Sequence, residues 1–169
     1  MGTLPRGNWP AADGGTPAAV LGFSLIELLS VLAIMSLLLA LAVPAYHGHV
    51  VRAKRVQGQA TLLRLMQQQE RYYSQNNHYL AFSSVSPAPQ AQAFPWWSGD
   101  GPVASATASA YEIEALACPG LTIGQCVLLR ATPGTSKVDA QFQDADCGVL
   151  SLSSTGQRGS SGPASRCWR

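Results

Sequence analysis

The sequence predicts an α+β protein in which a long N-terminal helix lies on a small antiparallel β-sheet. Three observations carry that expectation. Residues 23–43 form an apolar run of 21 residues in which Glu27 is the sole ionisable side chain. From Ala45 to about Ser74, apolar side chains then recur at three- and four-residue steps, as one side of a helix requires. Beyond residue 109 the pattern changes to short β-rich runs separated by Pro-Gly and Thr-Gly turns.

Composition narrows the functional classes. Of 169 residues, about 124 follow the apolar run, which suits one small domain with one core. Charged residues make up 12% and the formal net charge is +2, too little to argue for nucleic acid by itself. Cys118, Cys126, Cys147 and Cys167 all lie beyond the apolar run, which points to two disulfides formed in an oxidising compartment, with three connectivities open. No Cys-x-x-Cys pair occurs and His47, His49 and His78 are remote from the cysteines, so no metal site is expected. His47 and His49, two apart, fall on different helix faces. No nucleophile elbow, phosphate loop, zinc-helix motif or paired-carboxylate constellation is present. No catalytic residue and no cofactor are therefore expected, and the protein reads as a non-enzyme.

The elements follow in order. Residues 1–22, rich in Gly, Pro and Ala with Arg6 and Asp13 their only charges, read as an unfolded leader. A secretory signal ending at Ala40-Leu41-Ala42 competes, but the long, nearly uncharged approach and Glu27 count against it. Residues 23–45 are expected to be a transmembrane helix, since 21 residues rise about 31 Å against a hydrocarbon core of roughly 30 Å. A carboxylate inside such a span costs a few kcal/mol and so marks a function; snorkelling to the interface is the plain alternative. Residues 46–75 continue as an amphipathic helix with Val56, Ala60, Leu63, Met66 and Tyr73 on its apolar stripe and Leu62, Leu65 and Tyr72 widening it. Arg52, Lys54, Arg55, Gln59, Arg64, Gln68 and Arg71 punctuate the rest. Pro44, Gly48 and Gly58 are the only interruptions, so one helix of roughly 52 residues and ~78 Å is expected, stopping at Asn76-Asn77. Residues 83–109 form a Ser/Pro/Ala/Gln loop containing Phe94, Trp96 and Trp97, in which the two tryptophans anchor the chain to the domain, a ligand platform being the alternative. The sheet is expected over 110–153, with strands at Ala110–Cys118, Cys126–Thr132, Lys137–Phe142 and Cys147–Ser153. Glu112 and Glu114 would share one strand face, toward solvent.

Gly22 followed by Phe23-Ser24-Leu25-Ile26-Glu27, the further apolar run and Val43-Pro44-Ala45-Tyr46 resemble the start of type IV pilins and pilin-like proteins. Val51 to Ala60, Gln69 to Asn76, Asp146-Cys147-Gly148, Leu150-Ser151-Leu152, Gly156 to Gly159 and Cys167-Trp168-Arg169 are similar to PilE-like minor pilins. The resemblance implies the type IV pilin fold and a prepilin peptidase cut between Gly22 and Phe23, with N-methylation of Phe23. It also implies a docking role for Glu27, which would pair with the terminal amine of a neighbouring Phe23 and set register. It pairs Cys147 with Cys167 around a C-terminal loop, 147–167, which leaves Cys118 and Cys126 to clamp a hairpin. Loop closure assigns each bridge about 3 kcal/mol. Two features depart from the family: the leader carries only Arg6 as a basic residue, and Arg52, Lys54 and Arg55 stand where the positive-inside rule disfavours them.

The function so implied is that of a minor type IV pilin, a structural subunit and assembly factor in motility, adhesion and DNA uptake. Its partners would be other pilins in a helical filament or initiation complex, the prepilin peptidase and the inner-membrane assembly platform. Its place would be the inner membrane with a periplasmic domain, then the cell-surface pilus. A pilus-associated DNA-uptake receptor is one alternative, since Gly148–Arg169 carries Arg158, Arg166, Arg169 and Trp168 without an acidic residue. A solvated loop that merely lacks acids is the bland account of the same residues. A pseudopilin of a type II secretion system shares the leader, helix and Glu27; the Gln69–Asn76 run and the Cys167-Trp168 ending favour the pilus.

Overall fold

A computed structural model describes residues 23–99 and 105–168, with backbone alone for 41–45. The leader with Gly22, residues 100–104 of the long loop, and Arg169 lie outside the described residues, as does the side chain of Pro44. The chain divides into two units, Met1–Leu41 and Ala42–Arg169.

Helix α1 runs Leu25–Asn76, 52 residues. It opens where the Ser24 carbonyl accepts from the amides of Glu27 and Leu28, and Glu27 sits in the first turn, where a carboxylate complements the helix dipole. It ends where Asn77 adopts φ 59°, a left-handed conformation that Asn tolerates better than most side chains. In the first unit the large apolar side chains from Phe23 to Leu39 are 48–78% exposed on every face. Among the described residues no helix is long and apolar enough to cross a membrane.

In the second unit four strands form an antiparallel meander in the order β1 (Tyr111–Ala117), β2 (Val127–Pro133), β3 (Leu150–Ser153) and β4 (Arg158–Ser160). Registers such as Ile113 opposite Ala131 and Leu129 opposite Leu152 put the alternate apolar residues on one face. That face, with Tyr111, Ile113, Val127, Leu129 and Leu150 wholly buried, packs with Leu62 and Leu65 of α1. The free edge of β1 is covered by the long loop: Phe82 and Ala115 exchange backbone bonds, the Ile113 amide donates to the Trp96 carbonyl at 2.7 Å, and Ser98 donates to Tyr111. The loop is pinned by Phe94, stacked on Phe82 at 5.1 Å, while Trp96 and Trp97 meet edge to face at 5.0 Å. A four-residue turn of helix, α2 (Pro89–Gln92), interrupts it.

Three expectations need correction. Lys137–Phe142 is two successive turns, not a strand. Gly134 at φ 61° sends the chain back so closely under the Phe142 carbonyl that no Cβ would fit, and the segment buries Val138 and Phe142 without a partner strand. The fourth strand is instead Arg158–Ser160, too short to show in a periodicity, and β3 begins only at Leu150 because Gly148 turns at φ 58°. The helix face is also different in part. The residues turned to the rest of the domain are Val51, Arg55, Gly58, Leu62, Leu65, Gln69 and Tyr72, at alternating steps of four and three; Leu62, Leu65 and Tyr72 lie inward as expected, whereas Val56, Leu63 and Tyr73 are 36–57% exposed. The inward stripe includes two polar residues and a glycine, so an apolar count is drawn in part to its neighbour.

Candidate functional site

The inward stripe delivers Arg55 to the one place among the described residues where a charge is fully buried. Arg55 Nε donates to Asp144 Oδ2 at 2.8 Å and Nη2 to Asp144 Oδ1 at 2.6 Å, a two-pronged pair, and Nη2 also reaches Asp146 at 3.4 Å. The Asp144 carboxylate, fully enclosed, further accepts from the Tyr111 hydroxyl at 2.6 Å and from the Cys147 amide at 3.1 Å. Four donors meet one carboxylate, which is how a buried charge is made tolerable. Burial pushes the Asp144 carboxyl up, but the Arg55, Tyr111 and Cys147 hydrogen bonds and the nearby guanidinium outweigh it, so it lies below its ordinary value. Burial first, then Asp144, holds the Tyr111 hydroxyl far above the usual phenol range. Tyr111 reaches Asp144 across Gly58, where an added Cβ would lie 3.0 Å from the ring. Gly58 is therefore a close-approach glycine rather than a helix interruption.

This cluster fixes the C-terminal loop. Cys147 is bonded to Cys167 and Cys118 to Cys126. The Gln59 amide donates to the Cys167 carbonyl, and Gly162 passes so close under the Asp146 carbonyl that only glycine fits. Gln69 holds the other end of the domain, its amide donating to the Leu80 carbonyl at 2.6 Å and accepting from the Leu80 amide at 3.0 Å. Asp144, Tyr111, Gly58, Gln59 and Gln69 were not marked as site residues by the sequence. The legible signal was Asp144 itself, an acid two residues before Asp146-Cys147-Gly148 in a chain with few charges.

The sequence-marked residues fall into separate places. Phe23 and Glu27 are exposed at the start of α1. The Arg158 guanidinium stands 5.5 Å over the Trp168 ring, whose Nε1 donates to the Gly159 carbonyl at 2.8 Å. Arg158 lines a groove of about 530 Å³ between Leu63 and Met66 of α1 and Ser153 and Ser154. Arg166 lines a different groove of about 520 Å³ with His49, Arg52, Gln59 and Asp146. Of the three cations marked for DNA, Arg158 and Arg166 thus line separate grooves, and Arg169 lies outside the described residues. Glu114 pairs with Arg130, Nε to Oε1 at 2.8 Å, and Glu112 accepts from the Thr135 hydroxyl at 2.6 Å, so both carboxylates are engaged on the outer sheet face.

Among curated proteins, none matches the chain. Two solved structures are similar to it. One is a type IV pilin from Shewanella oneidensis, at 24% identity over 70% of this chain and 98% of that one, with a TM-score of 0.42. The other is the non-core minor pilin PilV of Neisseria meningitidis, at 18% identity over 70% of this chain and 94% of that one, with a TM-score of 0.44. Residues 44–151, which include Arg55, Gly58, Tyr111, Asp144 and Cys147, match the family described as type IV minor pilin ComP, DNA uptake sequence receptor. The chain belongs to that family of type IV minor pilins.

Proposed function

We propose that the protein is cut between Gly22 and Phe23, methylated at Phe23, held in the inner membrane by residues 23–45, and drawn into a pilus by Glu27. The observation that supports this most is the all-round exposure of the apolar side chains from Phe23 to Leu39, 48–78%, on the helix that continues into a minor-pilin domain. Such a helix is incomplete until lipid or other helices surround it. Moving from lipid to a core of like helices changes hydrophobic burial little, so a polar pair between Glu27 and a neighbouring terminal amine can decide docking and register. The partners are other pilins, with the prepilin peptidase and the assembly platform acting before them. The test is Glu27→Ala in cells. Processing and membrane fractionation stay normal while the subunit disappears from sheared filaments; wild-type amounts in the filaments would defeat the reading.

A second role, reception of DNA at the pilus, is favoured by the family's description as a DNA uptake sequence receptor and by the Arg158–Trp168 stack. A guanidinium beside an indole face can hold phosphate and stack on a base. Arg158, Arg166, Trp168 and Arg169 all lie beyond the residues that match the family, so this role is a property of the C-terminal loop to be tested directly. Duplex DNA retarded by the full chain at low salt, and released by Arg158→Ala, supports it. No retardation at low salt removes it.

A further inference from the structure

The groove lined by His49, Arg52, Gln59, Asp146 and Arg166 is not used by the filament role. Arg52 comes from α1 and Arg166 from the loop closed by Cys147–Cys167, and the Gln59 bond to the Cys167 carbonyl brings the two segments together. Among the described residues, Arg52 and Arg166 have no hydrogen-bond or ion-pair partner, while Arg55 is spent on Asp144 and Asp146. Asp146, 72% exposed at the rim, shares the one charge of Arg55 with Asp144, so three guanidinium groups face two carboxylates and leave the groove one positive charge in excess. Two guanidinium groups whose hydrogen-bond donors are unused face one concavity of net positive charge and attract a compact anion.

The helix indicates which anion. Arg52 stands nine residues beyond Val43, the last residue of the apolar run, and His49 stands six beyond it. Along α1 these are rises of about 14 and 9 Å, and helical side chains lean toward the N-terminus. Lipid headgroups occupy roughly 5–7 Å beyond the hydrocarbon on each side of a bilayer, within reach of a leaning arginine. Tyr46, three residues past Val43 and 70% exposed, is the kind of side chain that settles at that boundary. The concavity of about 520 Å³ also suits one headgroup better than a duplex. Two free arginines neutralise few of the phosphates on which DNA affinity depends. We propose that this groove binds the phosphate of an anionic phospholipid headgroup while the subunit waits in the membrane, and that lipid release accompanies its departure into a filament. The inference rests on the membrane placement of residues 23–45 proposed above.

The full chain, reconstituted into phosphatidylcholine vesicles with or without phosphatidylglycerol, separates the two ideas. Resistance to alkaline carbonate in the neutral vesicles reports insertion. Mass spectrometry of lipids kept through mild detergent extraction and affinity capture reports headgroup binding. The expected result is several-fold enrichment of phosphatidylglycerol over its share of the vesicle, falling to that share in an Arg52→Gln/Arg166→Gln variant with unchanged thermal unfolding. Arg71→Gln, on another groove, keeps the enrichment. Normal insertion without enrichment, or enrichment indifferent to Arg52 and Arg166, overturns the proposal and leaves the membrane placement standing. Failure to insert removes both. If a short DNA duplex displaces phosphatidylglycerol in an Arg52-dependent way, the groove belongs to nucleic acid and the lipid assignment falls.

Discussion

The two halves of α1 solve opposite problems. From Leu25 to Ala40 the side chains other than Glu27, Ser30 and Ser36 are apolar, and the segment is exposed, so nothing among the described residues selects one rotation of it. From Val51 to Tyr72 the buried stripe is partly polar: Arg55 meets Asp144, Gln59 meets Cys167 and Gln69 meets Leu80. Apolar contact is non-directional, whereas each of these bonds is satisfied at only one rotation and one height of the helix. The difference teaches that the second half is addressed to its own domain, while the first is left adaptable for surroundings outside the chain.

The strongest way to break that contrast is to strip the address. Arg55→Ala leaves the Asp144 carboxylate buried without its counter-charge, a change that typically costs about 3–5 kcal/mol. Urea unfolding of the full chain in detergent, followed by tryptophan fluorescence, should show the loss; a fall in unfolding free energy below about 1 kcal/mol would deny the cluster its role. The same titration has a pH signature. Because Asp144 is held below its ordinary value when folded, its contribution is complete above about pH 4 and is lost as pH falls through the folded value. Arg55→Ala should flatten that acid limb.

A matched pair sharpens the comparison. Leu62→Ala, at a fully buried position, should destabilise the domain by about 2–5 kcal/mol, while Leu32→Ala, 64% exposed, should stay within about 0.5 kcal/mol. Equal effects would mean that the first half is not independent of the domain. The smallest effect is expected at Arg130→Ala, where an exposed pair with Glu114 is worth under about 1 kcal/mol.

Much of the fold was legible because it depends on regular periodicity. The helix stop at Asn76-Asn77, β1 and β2 follow from side-chain alternation and from residues that tolerate turns. What escaped depends on contacts that no local pattern encodes. The inward helix stripe is only half legible, in Leu62, Leu65 and Tyr72, because Arg55, Gly58 and Gln69 also occupy it and their burial is justified only by Asp144, Tyr111 and Leu80 elsewhere in the chain. Lys137–Phe142 alternates like a strand, yet Gly134 denies it a neighbour. Of the candidate site, Cys147 and Arg166 could be marked by type, but that Arg166 shares a groove with Arg52 and not with Arg158 required the path of the loop.

Asp144 also has a bearing on time. Its partners Arg55 and Tyr111 lie 89 and 33 residues away, so the cluster closes two long loops at once and cannot form until nearly the whole domain has been made. The same carboxylate holds the amide of Cys147, the residue that must then find Cys167. An anchored Cys147 is held for its partner, and a chain that fails at Asp144 should form the Cys147–Cys167 bond more slowly than the wild type.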